Sequence, residues 1–137
     1  KRGQNMQERI TTAGVLIQNG RYFIAKREEK GSIGGLWEFP GGKNRYGETE
    51  QETLKREFSE ELSLAIEVGD LLHSHDFENK ETLYHLKAYQ VFAEEFERLP
   101  LLVHTEYRWV SLSELSAYPF APSDQEIVRT LLKKANQ

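Results

Sequence analysis

The residues most able to do chemistry are three carboxylates in one short stretch. Glu57, Glu60 and Glu61 stand at i, i+3 and i+4, so on a helix all three project from a single face. The ordinary reading is a solvated acidic face, whose mutual repulsion costs roughly a few tenths of a kcal/mol per pair. The sharper reading is a site for hard divalent cations. Mg²⁺ and Mn²⁺ take oxygen ligands and share their coordination with phosphate oxygens and water, so carboxylates fixed on a helix can hold such ions beside a polyphosphate. Two upstream features favour the sharper reading. Pro40-Gly41-Gly42 allows backbone to approach a ligand closely, and Glu48 lies six residues after Gly42, just ahead of the helix.

The surrounding sequence supplies elements to hold these groups. Thr49 can cap a helix running to about Leu62, with Glu50 and Glu52 in its first turn and Leu54, Phe58 and Leu62 spaced four apart on its apolar side. Upstream, Ile10 to Ile17 suits a strand, and Asn19-Gly20 is a strong hairpin turn into Arg21 to Lys26. Gly31, Gly34 and Gly35 mark a loop, and Leu36 to Phe39 a short extended piece. Downstream, Ile66 to His73 and Thr82 to Phe92 read as strands, and Trp109-Val110 as one more. After Pro119 and Pro122, Ser123 is expected to cap a last helix with Ile127, Val128, Leu131 and Leu132 on one side. The order β, β, loop, helix, β, β, β, helix indicates an α/β sandwich.

Composition narrows the function further. The 137 residues, 38% hydrophobic, suit one compact domain over 1–137. A net charge of −4 gives no basic footprint for duplex DNA, although contact with a nucleic-acid end stays open. Without cysteine there is no disulfide, thiol nucleophile or zinc ribbon, so any metal must use carboxylates, carbonyls or histidine. No apolar run reaches membrane-spanning length, and Lys1 to Gln7 is polar. The expected setting is cytoplasmic, with no membrane partner. His73, His75, His85 and His104 form no recognised metal spacing and receive no role, His75 and His85 being nearest the expected pocket.

Taken as Gly42, five residues, Glu48, seven residues, then Arg56-Glu57-Phe58-Ser59-Glu60-Glu61-Leu62-Ser63-Leu64, the segment 42–64 closely resembles the Nudix box. Six fixed identities coincide by chance on the order of once in 10⁵ such sequences. The lead-in Gly35-Leu36-Trp37-Glu38-Phe39-Pro40-Gly41-Gly42-Lys43 and the later Glu106-Tyr107-Arg108-Trp109-Val110 resemble the MutT-like branch. Two positions depart from the pattern. Phe58 replaces an aliphatic residue, a change of packing, and Ser63 replaces the glycine that ends the helix, at a cost of about 1 kcal/mol if a left-handed backbone is needed.

The resemblance implies an α/β/α sandwich with a mixed β-sheet and a metal-dependent pyrophosphohydrolase. Glu57, Glu60 and Glu61 would bind Mg²⁺ (or Mn²⁺), helped by the Gly41 carbonyl and by Glu106. Arg56 would pair with Glu57 or Glu48 and fix the helix. Glu57 and Glu106 are both candidates for the general base. Arg27 matches a phosphate-contacting position, with a structural salt bridge as the alternative. Phe39 would wall the base pocket. Asp124 stands where MutT itself carries an asparagine that reads the purine edge; an ionised Asp only accepts hydrogen bonds, suiting guanine N1–H with its amino group or a cytosine or adenine amine. Capping the last helix beside Ser123 is the alternative for Asp124. Tyr84, Phe77, Tyr118 and Phe120 are candidate stacking partners or core. The expected substrate is a nucleoside triphosphate, dGTP or its oxidised form favoured, giving a monophosphate and pyrophosphate. The alternative is the triphosphorylated 5′ end of an RNA; a catalytically silent nucleotide-sensing module is a remote third. Either a monomer or a homodimer is compatible with the sequence.

Overall fold

The structure, a computed structural model, describes residues 6–31 and 34–136. Most of the polar start and two residues of the glycine loop therefore lie outside it. Strand β1 (Gln7–Gln18) turns at Asn19 and Gly20, both with positive φ, into β2 (Arg21–Arg27). Only Ile17 with Tyr22 and Gln18 with Arg21 pair across this hairpin before the strands diverge. Two segments use the backbone edges that are left. The short β3 (Trp37–Glu38) pairs with Ala25 and Lys26 of β2. The chain from Pro40 to Asn44 then runs along β1: Gly14 N–H donates to Pro40 O at 2.7 Å, Thr12 N–H to Gly42 O at 2.8 Å, and Asn44 N–H to Ile10 O at 2.9 Å.

Helix α1 (Glu50–Leu62) begins at Thr49 in a full capping box with Glu52, satisfying two otherwise unpaired backbone donors. Leu54, Phe58 and Leu62 are wholly buried with Leu16, Phe23, Ile66 and Val91 on one face of the sheet. Gly14 makes room for the ring at position 58, since a Cβ there would lie 2.4 Å from Phe58 Cε1. β4 (Glu67–Asn79) and β5 (Thr82–Phe92) form a long antiparallel hairpin, and β5 runs parallel to β1, so the sheet is mixed. β4 continues six residues past the His73 expected from sequence. Its turn, Lys80-Glu81, takes positive φ at residues that carry no glycine or asparagine signal.

β6 (His104–Val110) pairs with the other edge of β2 and is longer than Trp109-Val110 alone. A 3₁₀ turn (Leu112–Ala117) leads to α2 (Pro122–Ala135), whose Ile127, Val128 and Leu131 bury against Ala13, Val15, Ile24, Trp37, Phe39, Leu86 and Ala88 on the opposite face from α1. The result is an α/β/α sandwich. Ser123 does not cap α2. Ala121 holds the N-cap and Pro122 the first helical position, where a missing N–H costs nothing, so Ser123 and Asp124 fall inside the first turn. No helix among the described residues is long and apolar enough to cross a membrane.

Candidate active site

Arg56 organises the carboxylates of the box. Its Nε donates to Glu48 Oε2 at 2.6 Å and Nη2 to Glu48 Oε1 at 3.1 Å; Nη1 reaches Glu57 at 3.0 Å and Glu60 at 3.2 Å; Nη2 also reaches the Lys43 carbonyl at 3.1 Å. Such a planar fork fixes direction as well as distance, which an ammonium cannot. Glu48 is gripped further by the Arg45 amide and the Thr53 hydroxyl, both at 2.9 Å. The Arg56 guanidinium above all, then these two donors, hold the Glu48 carboxyl down at about 2. Glu48 thus acts as the counter-charge that positions Arg56, and Arg56 in turn orients Glu57.

The Pro-Gly-Gly break brings backbone against these carboxylates. A Cβ on Gly42 would sit 2.4 Å from Glu57 Cδ, and one on Gly41 2.1 Å from the Thr12 carbonyl oxygen, so neither position has space for a side chain. Pro40 and Gly42 spend their carbonyls on β1. Among the described residues no hydrogen bond from that strand reaches the intervening Gly41 carbonyl.

Counting alternation along β2 and β6 shows which side chains share the face turned toward α1. Phe23 pairs with Trp109 and Ala25 with Tyr107, and Phe23 packs under α1, so this set faces the helix. Ile24 with Arg108 and Lys26 with Glu106 face the other way. Glu106, expected to join the helix carboxylates, therefore lies on the opposite face of β6, where it pairs with Arg108 Nε at 2.7 Å. A bulge between Lys26 and Arg27 then skips Thr105, and Arg27 pairs with His104. The extra residue turns the buried His104 to the α1 face. There its Nε2 meets Glu38 Oε2 at 2.8 Å and Glu61 Oε1 at 3.9 Å.

Arg27 Nη1 is 3.6 Å from the same Glu38 oxygen, so the ion pair considered from sequence is present, and a third of its side chain remains exposed. Glu38 and His104, given no role from sequence, join this cluster. For Glu38 a signal existed, since it is a carboxylate two residues before Pro40 in the lead-in to the box. His104 depends on the bulge, which has no sequence signature.

Burial first, then the charges of Glu38 and Glu57, push the Glu61 carboxyl up to about 9, with Arg27 opposing. Its Oε1 is buried without a hydrogen-bond partner. A crowded set of carboxylates with an orphaned oxygen suits a bound hard cation, which supplies the missing partner and relieves the repulsion.

Asp124 and Phe39 are joined directly. The Phe39 N–H donates to Asp124 Oδ2 at 2.7 Å, and Ser123 Oγ donates to Oδ1 at 3.1 Å. Trp37 exchanges backbone bonds with Pro119 and Ala121, which ties the start of α2 to β3 and brings Asp124 beneath Phe39. Burial, then the Glu38 charge, raise the Asp124 carboxyl to about 7 against the pull of its two donors. Phe39 stacks on Phe120 at 5.4 Å, and Phe77 on Tyr84 at 5.2 Å with Lys43 over the Tyr84 ring. Tyr118 packs on Trp37 instead.

Comparison with known proteins places the chain in a family. The family model of the NUDIX domain matches residues 12–130. The chain is 32% identical over 120 residues to the CTP pyrophosphohydrolase of Escherichia coli (strain K12), covering 88% of each chain. It is also 32% identical over 134 residues to the putative 8-oxo-dGTP diphosphatase 2 of Mycobacterium tuberculosis, covering 96% of this chain and 93% of that one. The solution structure of the E. coli ORF135 protein superposes with a TM-score of 0.82 at 30% identity, over 95% of this chain and 92% of that one.

Proposed function

The chain belongs to the Nudix family and is a pyrophosphohydrolase of the nucleoside triphosphate type; from that premise we propose that it is metal-dependent, converts (d)NTPs to a nucleoside monophosphate and pyrophosphate, and selects bases carrying an exocyclic amino group. The Arg56 fork carries the metal-dependent reading, because it fixes Glu57 and Glu60 on the helix face that also bears Glu61. Glu57, Glu60, Glu61 and the Gly41 carbonyl would hold Mg²⁺ or Mn²⁺. When bound, such ions neutralise phosphate charge and lower the pKa of water. Glu57 would take the proton as a water oxygen adds to phosphorus and the bridging P–O bond breaks, releasing pyrophosphate. Arg27 would reach a phosphate oxygen from the edge of the same face.

Asp124 supports the base selection. In its ionised form it only accepts hydrogen bonds, so the lone pairs left beside those taken by Phe39 N–H and Ser123 Oγ suit a donor such as the cytosine amine or the guanine N1–H and amino edge. Phe39 would form the adjoining wall. CTP and 8-oxo-dGTP, for which two relatives are named, each carry an exocyclic amino group, so the purine preference expected from sequence becomes one arm of the test. That test compares kcat/KM for the eight common NTPs and dNTPs, 8-oxo-dGTP and a short 5′-triphosphorylated RNA in Mg²⁺, with Glu57→Gln as the blank. The expected result is monophosphate and pyrophosphate from cytosine, guanine or adenine nucleotides at rates at least about 10³-fold above the blank. Equal rates on uracil nucleotides would overturn the base selection, a preference for the RNA would overturn the free-nucleotide substrate, and an undiminished Glu57→Gln would overturn the site.

A further inference from the structure

Beside the box carboxylates, the same face of the sheet carries a ligand set of different chemistry. Glu38 of β3, Glu61 of α1 and His104 of β6 each present one ligand atom, and these three atoms lie within 4.8 Å of one another. The separations from His104 Nε2 are 2.8 Å to Glu38 and 3.9 Å to Glu61. Around an octahedral ion with bonds of about 2.1 Å, neighbouring ligands stand roughly 3 Å apart and opposite ones roughly 4.2 Å. The two separations from His104 are close to these values, and Glu38 Oε2, which also meets Arg27 Nη1 at 3.6 Å, would turn from the imidazole toward the ion. The His104 side chain is wholly shielded from solvent, and among the described residues the Glu61 oxygen facing it and His104 Nδ1 are the buried side-chain polar atoms with no hydrogen-bond partner. Leaving a buried acceptor unpaired is costly, and a cation between that oxygen and the imidazole would satisfy it.

We propose that Glu38, Glu61 and His104 form a divalent-cation site with one imidazole ligand, adjoining the carboxylate set of the box and sharing Glu61 with it. The inference rests on the metal-dependent reading of α1. It adds a consequence that an all-oxygen site lacks. Mg²⁺ strongly favours oxygen, while affinity for sites that include nitrogen begins at Mn²⁺ and rises along the first row, so one imidazole among two carboxylates should favour Mn²⁺ over Mg²⁺ and later ions more strongly still.

Pulsed EPR of the Mn²⁺-loaded full chain tests the ligand directly. The spectrum is expected to show nitrogen coupling that changes when histidine is ¹⁵N-labelled, disappears in His104→Gln and persists in His85→Gln, the control at a surface histidine held by Glu8 and Asp76. Glu38→Gln, which leaves the ring in place, is expected to weaken Mn²⁺ binding at this position by at least about 10-fold and covers the case of a misfolded His104 variant. Bound Mn²⁺ without histidine coupling in the wild type, or coupling that survives in folded His104→Gln, overturns the inference. If Glu57→Gln still abolishes turnover in that event, the box reading stands. A wild-type chain that binds no Mn²⁺ overturns both.

Discussion

Ser63 offers a sharp test of how the box helix ends. It adopts φ 53 and ψ 37, the left-handed region, at the C-cap of α1, and its N–H donates to Ser59 O at 3.0 Å while Leu64 N–H reaches Phe58 O at 3.3 Å. An L-residue with a Cβ pays about 1–2 kcal/mol for that backbone. Glycine avoids it but gains roughly 0.4–1 kcal/mol of entropy in the unfolded chain. Ser63 is exposed and its side chain makes no hydrogen bond among the described residues, so nothing else is lost on substitution. Ser63→Gly should therefore stabilise the protein by about 1 kcal/mol. For a chain of 137 residues, an unfolding entropy of about 2.1 cal/mol/K per residue converts this to a rise in Tm of roughly 3–4 °C. Ser63→Ala, which keeps the Cβ, should leave Tm almost unchanged. Differential scanning calorimetry at neutral pH reads both variants. An unchanged or lower Tm in Ser63→Gly would show that the left-handed turn is not the source of strain at this end.

Three more outcomes follow from contacts around the site. Arg56→Lys removes a fork that serves three carboxylates, and kcat is expected to fall about 10- to 100-fold with a loss of roughly 1–3 kcal/mol in urea-measured stability; near-normal turnover would show that the fork is not needed. Gly42→Ala should displace the Glu57 carboxylate and cut kcat while leaving Tm close to wild type, whereas Gly41→Ala presses on the Thr12 backbone and should lower Tm itself; equal effects in the two assays would contradict this division. Asp124→Asn removes a carboxyl whose folded pKa of about 7 exceeds its ordinary 3.8. A raised folded pKa means the native state binds the proton more tightly, so stability declines as pH climbs from about 4 to 7, by at most on the order of 4 kcal/mol, with the helix N-terminus reducing that figure by favouring the anion. The Asn variant should show a flatter stability profile across that window, and an unchanged slope in pH-dependent denaturation would refute the assignment.

Where local chemistry is decisive, the sequence was enough. Thr49 and Glu52 specify the start of α1 because the capping box is built from those residues alone, and Leu54, Phe58 and Leu62 specify its buried face through their spacing. Arg56 and Glu48 could be paired from sequence because both belong to the box. Ser123 misled because two different starts compete at the last helix, a serine cap and a proline at the first helical position. The contacts of Ala121 with Trp37 favour the second. The Lys80-Glu81 turn was illegible since tertiary pairing of β4 with β5 imposes a conformation those residues do not prefer alone.

The placement of Glu106 and His104 on opposite faces of β6 shows why side-chain direction on a strand is harder to read than helical spacing. A helix error of one residue rotates a side chain by about 100°, but on a strand it moves the side chain to the opposite face. Without the bulge, His104 and Glu106 would project to the same side. Skipping Thr105 separates them, sending His104 toward Glu38 and Glu61 and leaving Glu106 with Arg108. Thr105→Pro or deletion of Thr105 would each disturb other bonds, so the informative comparison is Glu106→Gln against His104→Gln. If the bulge decides which residue serves the site, Glu106→Gln should keep kcat within about 3-fold of wild type, the ordinary consequence of losing an exposed ion pair. His104→Gln should lose at least about 10-fold and change the ratio of Mn²⁺- to Mg²⁺-supported turnover. The reverse ranking would return Glu106 to the active site and require β6 to pair in a different register when substrate binds.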